Sequence, residues 1–95
     1  VTRAQAAGLR VVVATITPYG CDSGCFGADQ EADRQTVNTW IRTSELPDAV
    51  ADFDAAARDP QQPDRLAAAF DAGDHLHLND AGYAALGNAV PLSAL

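Results

Sequence analysis

From Val11 to Thr17 the chain reads Val-Val-Val-Ala-Thr-Ile-Thr, almost without a polar break. β-Branched side chains suit a pleated surface, and a run without alternation predicts a strand covered on both faces, as in a parallel sheet. Pro18 has no N–H to give a ladder and ends the run. A helical period then takes over. From Asp29 to about Thr43, Val37, Trp40 and Ile41 share one face and arginines and acids the other, which predicts a helix capped by Asp29 with those three in the core. Ala49 to Asp54, AVADFD, reads as a second, shorter strand followed by a brief helical turn. At the start, Thr2 to Gly8 is helix-compatible, with Gly8 placed as a stop. Asp59 to Asp64, DPQQPD, is a proline-rich linker, and Leu66 to Phe70 predicts another helical turn. Asn79 or Asp80 caps a last helix to about Val90, with Tyr83, Leu86 and Val90 along one face.

Helix, strand, helix, strand, short helix, loop, helix is βαβ order, with a right-handed crossover through the Asp29 helix. Two parallel strands cannot bury both faces of the Val11 run, so residues 1–95 read as a single partial domain, the C-terminal part of a larger α/β unit. An open edge beside that strand predicts either a complementary chain or self-association.

Composition narrows the partners. Thirteen acids against six arginines and no lysine give a formal charge of −7, and the arginines are scattered, so a nucleic acid partner is excluded. No apolar run approaches the roughly 18 residues of a membrane span. The opening VTRAQAAGLR lacks the apolar core of a signal peptide, which places any targeting segment outside these residues. The only cysteines, Cys21 and Cys25, lie in the glycine-rich YGCDSGCFG. They read as a small disulfide ring made in an oxidising compartment, and so as a secreted protein; two free thiols are the alternative.

The chemistry concentrates in DAGDHLHLNDAGY, Asp71 to Tyr83. Asp74 and His77 have the spacing D-x-x-H on a loop just before a helix. That separation lets the carboxylate fold back and accept the Nδ1 proton, fixing the tautomer and leaving Nε2 free as a base. A metal loop is the competing pattern: His75 and His77 alternate as H-x-H, and Asp71, Asp74 and Asp80 could add oxygen donors for zinc or calcium. Against it, there is no third histidine, and a helix starting near Asn79 turns Asp80 away. His75 by itself reads as a solvent-exposed loop residue.

Asp74, His77, Asn79, Gly82 and Tyr83 together resemble the last motif of the SGNH, or GDSL, hydrolase family: Asp and His in this spacing, then Pro-Asn, two residues and Gly-Tyr at the start of the C-terminal helix. Leu78 stands where the family usually has proline. More loosely, VVVATITPYG resembles the family's penultimate core strand and bordering loop, and DRQTVNTWIR with AVADFDAAARDP its next helix and last strand. The resemblance implies a flavodoxin-like three-layer α/β/α fold and a cofactor-free serine hydrolase acting on carboxylic esters such as lipids, acylated sugars or aryl esters. It also implies His77 as general base and Asp74 as its orienter.

The family's nucleophile lies in a Gly-Asp-Ser motif, and its oxyanion hole adds a glycine and the asparagine of Gly-x-Asn-Asp. Neither motif occurs here. Ser23, in Cys-Asp-Ser-Gly-Cys, follows the Val11 strand and reads as a loop residue, while Asn79-Asp80 belongs to the helix cap. Without a nucleophile the covalent route is missing, so the chain alone is expected to be inactive. Asp52 and Asp54, flanking Phe53, read as a solvated strand end rather than an acid–base pair. Tyr19 and Phe26, beyond the carboxyl end of the first strand, are candidates to line a substrate cleft.

Overall fold

In the computed structural model, which describes residues 1–95, the chain is an α/β protein with α1 (Thr2–Ala6), β1 (Val12–Ala14), α2 (Ala28–Thr43), β2 (Ala49–Ala51), α3 (Phe53–Ala57) and α4 (Asp80–Asn88). A 3-10 turn, Leu92–Ala94, follows. β1 and β2 pair in parallel with Val12 opposite Ala49 and Ala14 opposite Ala51, and α2 is the crossover between them. Bonds from Asp48 N to Val11 O (2.9 Å) and from Thr15 N to Ala51 O (3.1 Å) continue the ladder at each end.

Both strands are shorter than the hydrophobic pattern predicts, and each stops for a polar reason. After Thr15 the backbone of Ile16 leaves the sheet for a side chain: its N–H donates to Asn38 Oδ1 (2.7 Å), and its carbonyl accepts from Asn38 Nδ2 and Arg34 Nη1 (both 2.9 Å). The Asn38 amide thus stands in for a neighbouring strand. At β2, Asp52 turns the chain into α3 by capping it, its carboxylate accepting Ala55 N at 3.1 Å.

The N-cap of α2 lies two residues earlier than the sequence suggests. Gly27 is its N-cap, with Gln30 Oε1 accepting the Gly27 N–H at 3.0 Å, and Asp29 lies in the first turn, where a negative charge suits the helix dipole. Its buried face is also different. Arg34, Asn38 and Ile41 face inward, whereas Trp40 is 53% exposed and Val37 42%. The inward positions were taken by residues whose polar ends satisfy the end of β1, which turns the apolar Val37–Trp40 stripe outward.

Asp54 is fully buried, contrary to a solvated strand end. Its Oδ1 accepts from Arg34 Nη1 at 2.6 Å, and its Oδ2 from Arg42 Nη2 (2.6 Å) and Arg58 Nη1 (2.9 Å). Its N–H donates to the Thr15 hydroxyl at 2.9 Å. Arg42 also grips Asp52 with Nε and Nη2, at 2.8 and 2.7 Å. Every N–H of Arg34 is used, on Glu31, Asp54, Ile16 O and Pro63 O. Desolvating such ions costs several kcal/mol each, which only this degree of pairing offsets. The network joins β1, α2, α3 and the proline-rich linker, a task a two-stranded sheet cannot perform alone.

The apolar core is small and lies elsewhere. Ala57, Leu66 and Leu78 are buried together with Phe70 and Leu86 against them, where α3 meets α4. Leu66 to Phe70 forms no helix; Leu66 instead bridges to Arg58 in antiparallel fashion, and a turn closes from Phe70 N to Ala67 O. Tyr83 and Val90 do not share a buried face with Leu86: Tyr83 is exposed, and α4 ends before Val90. The chain exposes 5958 Å², against about 5,200 Å² for a compact monomer of its mass. Its radius of gyration is 14.3 Å, against about 12 Å expected for this length. Ile16, Val37, Trp40 and Leu46 are among the large apolar side chains that face solvent.

Candidate active site

The loop from Asp71 to Asn79 is closed by its own backbone. Asp71 pairs with Leu78 in an antiparallel bridge, Ala72 N donates to His77 O (2.9 Å), and Asn79 N donates to Phe70 O (2.9 Å). Inside it, two aspartates act alike. Asp71 Oδ1 accepts the N–H groups of Gly73 and His75, and Asp74 Oδ1 those of Leu76 and His77. The second oxygen of each holds an imidazole. Asp74 Oδ2 lies 2.6 Å from His77 Nδ1, and Asp71 Oδ2 lies 2.6 Å from His75 Nδ1. The tight path requires left-handed backbone at Gly73 (φ 112°) and at His75 (φ 63°), the second an uncommon conformation for a residue with a side chain.

The hydrogen bond from His77, together with the two backbone N–H groups, holds the Asp74 carboxyl well below the usual carboxylate range. Asp74 is therefore anionic wherever an imidazole is neutral, and an anion at 2.6 Å keeps the proton on Nδ1. Nε2 is then the free base nitrogen, and the half-exposed ring leaves it accessible. At Asp71, burial works to raise the pKa, but the bonds from Gly73 and His75 outweigh it and the carboxyl is likewise lowered.

Asn79 fixes the loop to the helix. Its Oδ1 accepts Gly82 N at 2.9 Å as the N-cap of α4, and its Nδ2 donates to Ala69 O at 2.9 Å. Gly82 is buried against Leu78 and the Phe70 carbonyl; a Cβ there would lie 2.8 Å from Leu78 side-chain atoms and 2.9 Å from that carbonyl. Glycine alone lets the first turn of α4 settle on the loop, and the exposed Tyr83 takes no part in that contact.

Cys21 and Cys25 are joined by a disulfide. The ring they close stands beside the histidine loop. Tyr19 and Phe26 meet edge to face with centroids 5.0 Å apart, and both line a cleft of about 180 Å³ that also touches Asp74, His75 and Leu76. A second cleft, about 350 Å³, runs from the same two rings toward Glu31 and Asp64. Ser23 lines a third cleft with His75, but its hydroxyl bonds to neither imidazole. His77 lines none of the three, and its ring is exposed.

The pairing of His75 with Asp71 is not apparent from the D-x-x-H pattern. The only sequence signal for it is the second aspartate four residues before the histidine, a spacing that a loop satisfies only once its path is known. No three His, Cys, Asp or Glu side chains converge as a metal-ligand group, because each imidazole turns to its own aspartate.

Parallel strands joined through a helix define an α/β protein, and an aspartate-held imidazole stands on the loop entering its last helix. The chain belongs to the GDSL-like lipase/acylhydrolase family, whose model matches residues 1–85 and so takes in both Asp–His pairs and the start of α4. Among curated proteins no sequence matches this one significantly.

Proposed function

We propose that the chain is the C-terminal portion of a serine ester hydrolase domain with a three-layer α/β/α fold, and that it contributes the base, His77, and its orienter, Asp74. The observation that carries this reading is the 2.6 Å contact between Asp74 Oδ2 and His77 Nδ1, within the stretch that matches the family. In the complete site, Nε2 takes the hydroxyl proton of a serine as its oxygen attacks the ester carbonyl, then returns the proton to the departing alcohol. Water deacylates the serine by the same route. The nucleophile and the oxyanion donors come from a Gly-Asp-Ser and a Gly-x-Asn-Asp segment lying ahead of Val1 or on a complementary chain. The outward apolar stripe of Val37 and Trp40 and the surplus exposed surface support such a completing segment or a self-associated form. The substrate is a carboxylic ester of a lipid, an acylated sugar or an aryl alcohol. The Cys21–Cys25 bridge supports a secreted protein.

The purified chain is expected to leave p-nitrophenyl acetate at its background rate, and the longer form bearing Gly-Asp-Ser is expected to turn it over. Genuine turnover by these 95 residues, with a serine-directed fluorophosphonate attached at Ser23, would contradict the assignment.

A further inference from the structure

Asp74 reaches His77 because the chain reverses around it. The residues on either side of it, Gly73 and His75, both take left-handed backbone, with φ 112° and 63°. At His75, which carries a side chain, such a conformation persists only where the surroundings hold it. One atom holds both residues. Asp71 Oδ1 accepts the Gly73 N–H at 2.7 Å and the His75 N–H at 3.0 Å, so Asp74 is bracketed by two N–H groups that converge on a single carboxylate oxygen.

Asp71 is itself fixed at the base of the loop. Its backbone bridges to Leu78, its carbonyl accepts from Asn79 Nδ2 at 3.4 Å, and the neighbouring Ala72 N–H donates to His77 O at 2.9 Å. The Asp71 side chain is 13% exposed, against 51% for Asp74, so the enclosed carboxylate holds the turn while the open one holds the imidazole with a free nitrogen. The His75 ring occupies the other Asp71 oxygen, Oδ2, and leaves both backbone bonds to Oδ1. We propose that Asp71 is a positioning residue for the Asp74–His77 pair: through Oδ1 it fixes the turn that presents the Asp74 carboxylate to His77 Nδ1. The consequence for turnover rests on the ester-hydrolase reading, whereas the control of the imidazole tautomer does not.

The test is the tautomer of His77, read from imidazole ¹⁵N shifts of the intact chain at about pH 9, where an ordinary imidazole is neutral. The unaltered chain holds the proton on Nδ1, and Asp74→Ala releases it to the mixture of an unconstrained ring. Asp71→Ala is expected to do the same although Asp74 and His77 are both present, while Asp71→Asn, which keeps an acceptor for the two N–H groups, retains the Nδ1 form. Gly73→Ala reaches the same turn independently: a Cβ there meets nothing within 4 Å, yet the φ of 112° disfavours it, so it too is expected to release the tautomer. The proposal is overturned if Asp71→Ala, still melting cooperatively, leaves the proton on Nδ1, or if Asp71→Asn loses it. Should Asp71→Ala fail to fold, Gly73→Ala decides by the same criterion. A ring without preference in the unaltered chain would overturn the pair and the positioning together. In a protein in which a Gly-Asp-Ser segment completes the chain, Asp71→Ala lowers kcat for p-nitrophenyl acetate by up to about 10²-fold with KM nearly unchanged, the cost of a misplaced base. Full kcat in Asp71→Ala beside a loss in His77→Ala would overturn the positioning role and leave the hydrolase reading. A tautomer released by Asp71→Ala in a completed protein that hydrolyses no ester would remove the hydrolase reading and leave the positioning role standing.

Discussion

Asp54 and Asp74 are both carboxylates held below their ordinary pKa, yet they are built for opposite ends. At Asp54 burial works against ionisation, and hydrogen bonds from Arg42 and Arg34 overcome it; both carboxylate oxygens face guanidinium groups. At Asp74 burial is only a minor opposing effect, and the bonds that lower its pKa come from its own loop. The first arrangement is closed, so it can only hold elements together. The second leaves one nitrogen, His77 Nε2, pointing out of the cluster with nothing to bond. A lowered pKa is common to both carboxylates; what differs is the unspent imidazole nitrogen beside Asp74.

The strongest way to break that contrast is to remove each carboxylate in turn. Asp54→Ala strands Arg34 in the interior and is expected to cost about 3–5 kcal/mol, a large share of the stability of a domain this size. Thermal melting should show it as loss of the cooperative transition or a steep fall in Tm. Asp74→Ala, in a half-exposed loop, should leave the melting curve nearly unchanged.

A smaller, graded effect is expected from acid. Asp52, gripped by Arg42, and Asp54 both have folded pKa values below their unfolded ones. As pH falls below about 4 the unfolded state binds more protons than the folded state, so the stability they contribute is complete above about pH 5 and drains away below pH 4. Urea unfolding across pH 3 to 7 would measure it. Equal midpoints at both ends would mean that the network contributes nothing. The smallest effect should come from the outward stripe. Trp40→Gln is expected to change the stability of the isolated chain by less than about 0.5 kcal/mol, and to shift its sedimentation toward a single dilute species if self-association uses that face.

What could be read in the sequence follows the range of the interactions. The Cys21–Cys25 ring, the Asn79 cap and the Asp74–His77 contact each close over four residues or fewer, so spacing alone is enough to expect them. The parallel pairing of the Val11 and Ala49 segments followed from the β-branched run and the helix between them. The Asp54 network was not legible. Its guanidinium partners lie 4 to 20 residues away, two on α2 and one just past the end of α3, and arginine and aspartate in a helical pattern ordinarily signify a wet face. The same network misled the reading of α2. Once Arg34 and Asn38 are needed at the end of β1, Val37 and Trp40 must turn away, whatever their hydrophobicity. His75 illustrates a subtler limit, because its aspartate becomes a neighbour only through left-handed backbone at Gly73 and at His75 itself.

The proposed function gives the two histidines, alike in geometry, different tasks, and that division is its central claim. It is tested most directly by kcat for p-nitrophenyl acetate, with each imidazole removed, in a protein in which the proposed Gly-Asp-Ser segment completes the chain. His77→Ala is expected to lower kcat by roughly 10²–10⁴-fold, the usual worth of a positioned base. His75→Ala should leave it within a few-fold, since His75 is bonded only to Asp71 within its own loop. The reverse order, or full activity without His77, would contradict the account.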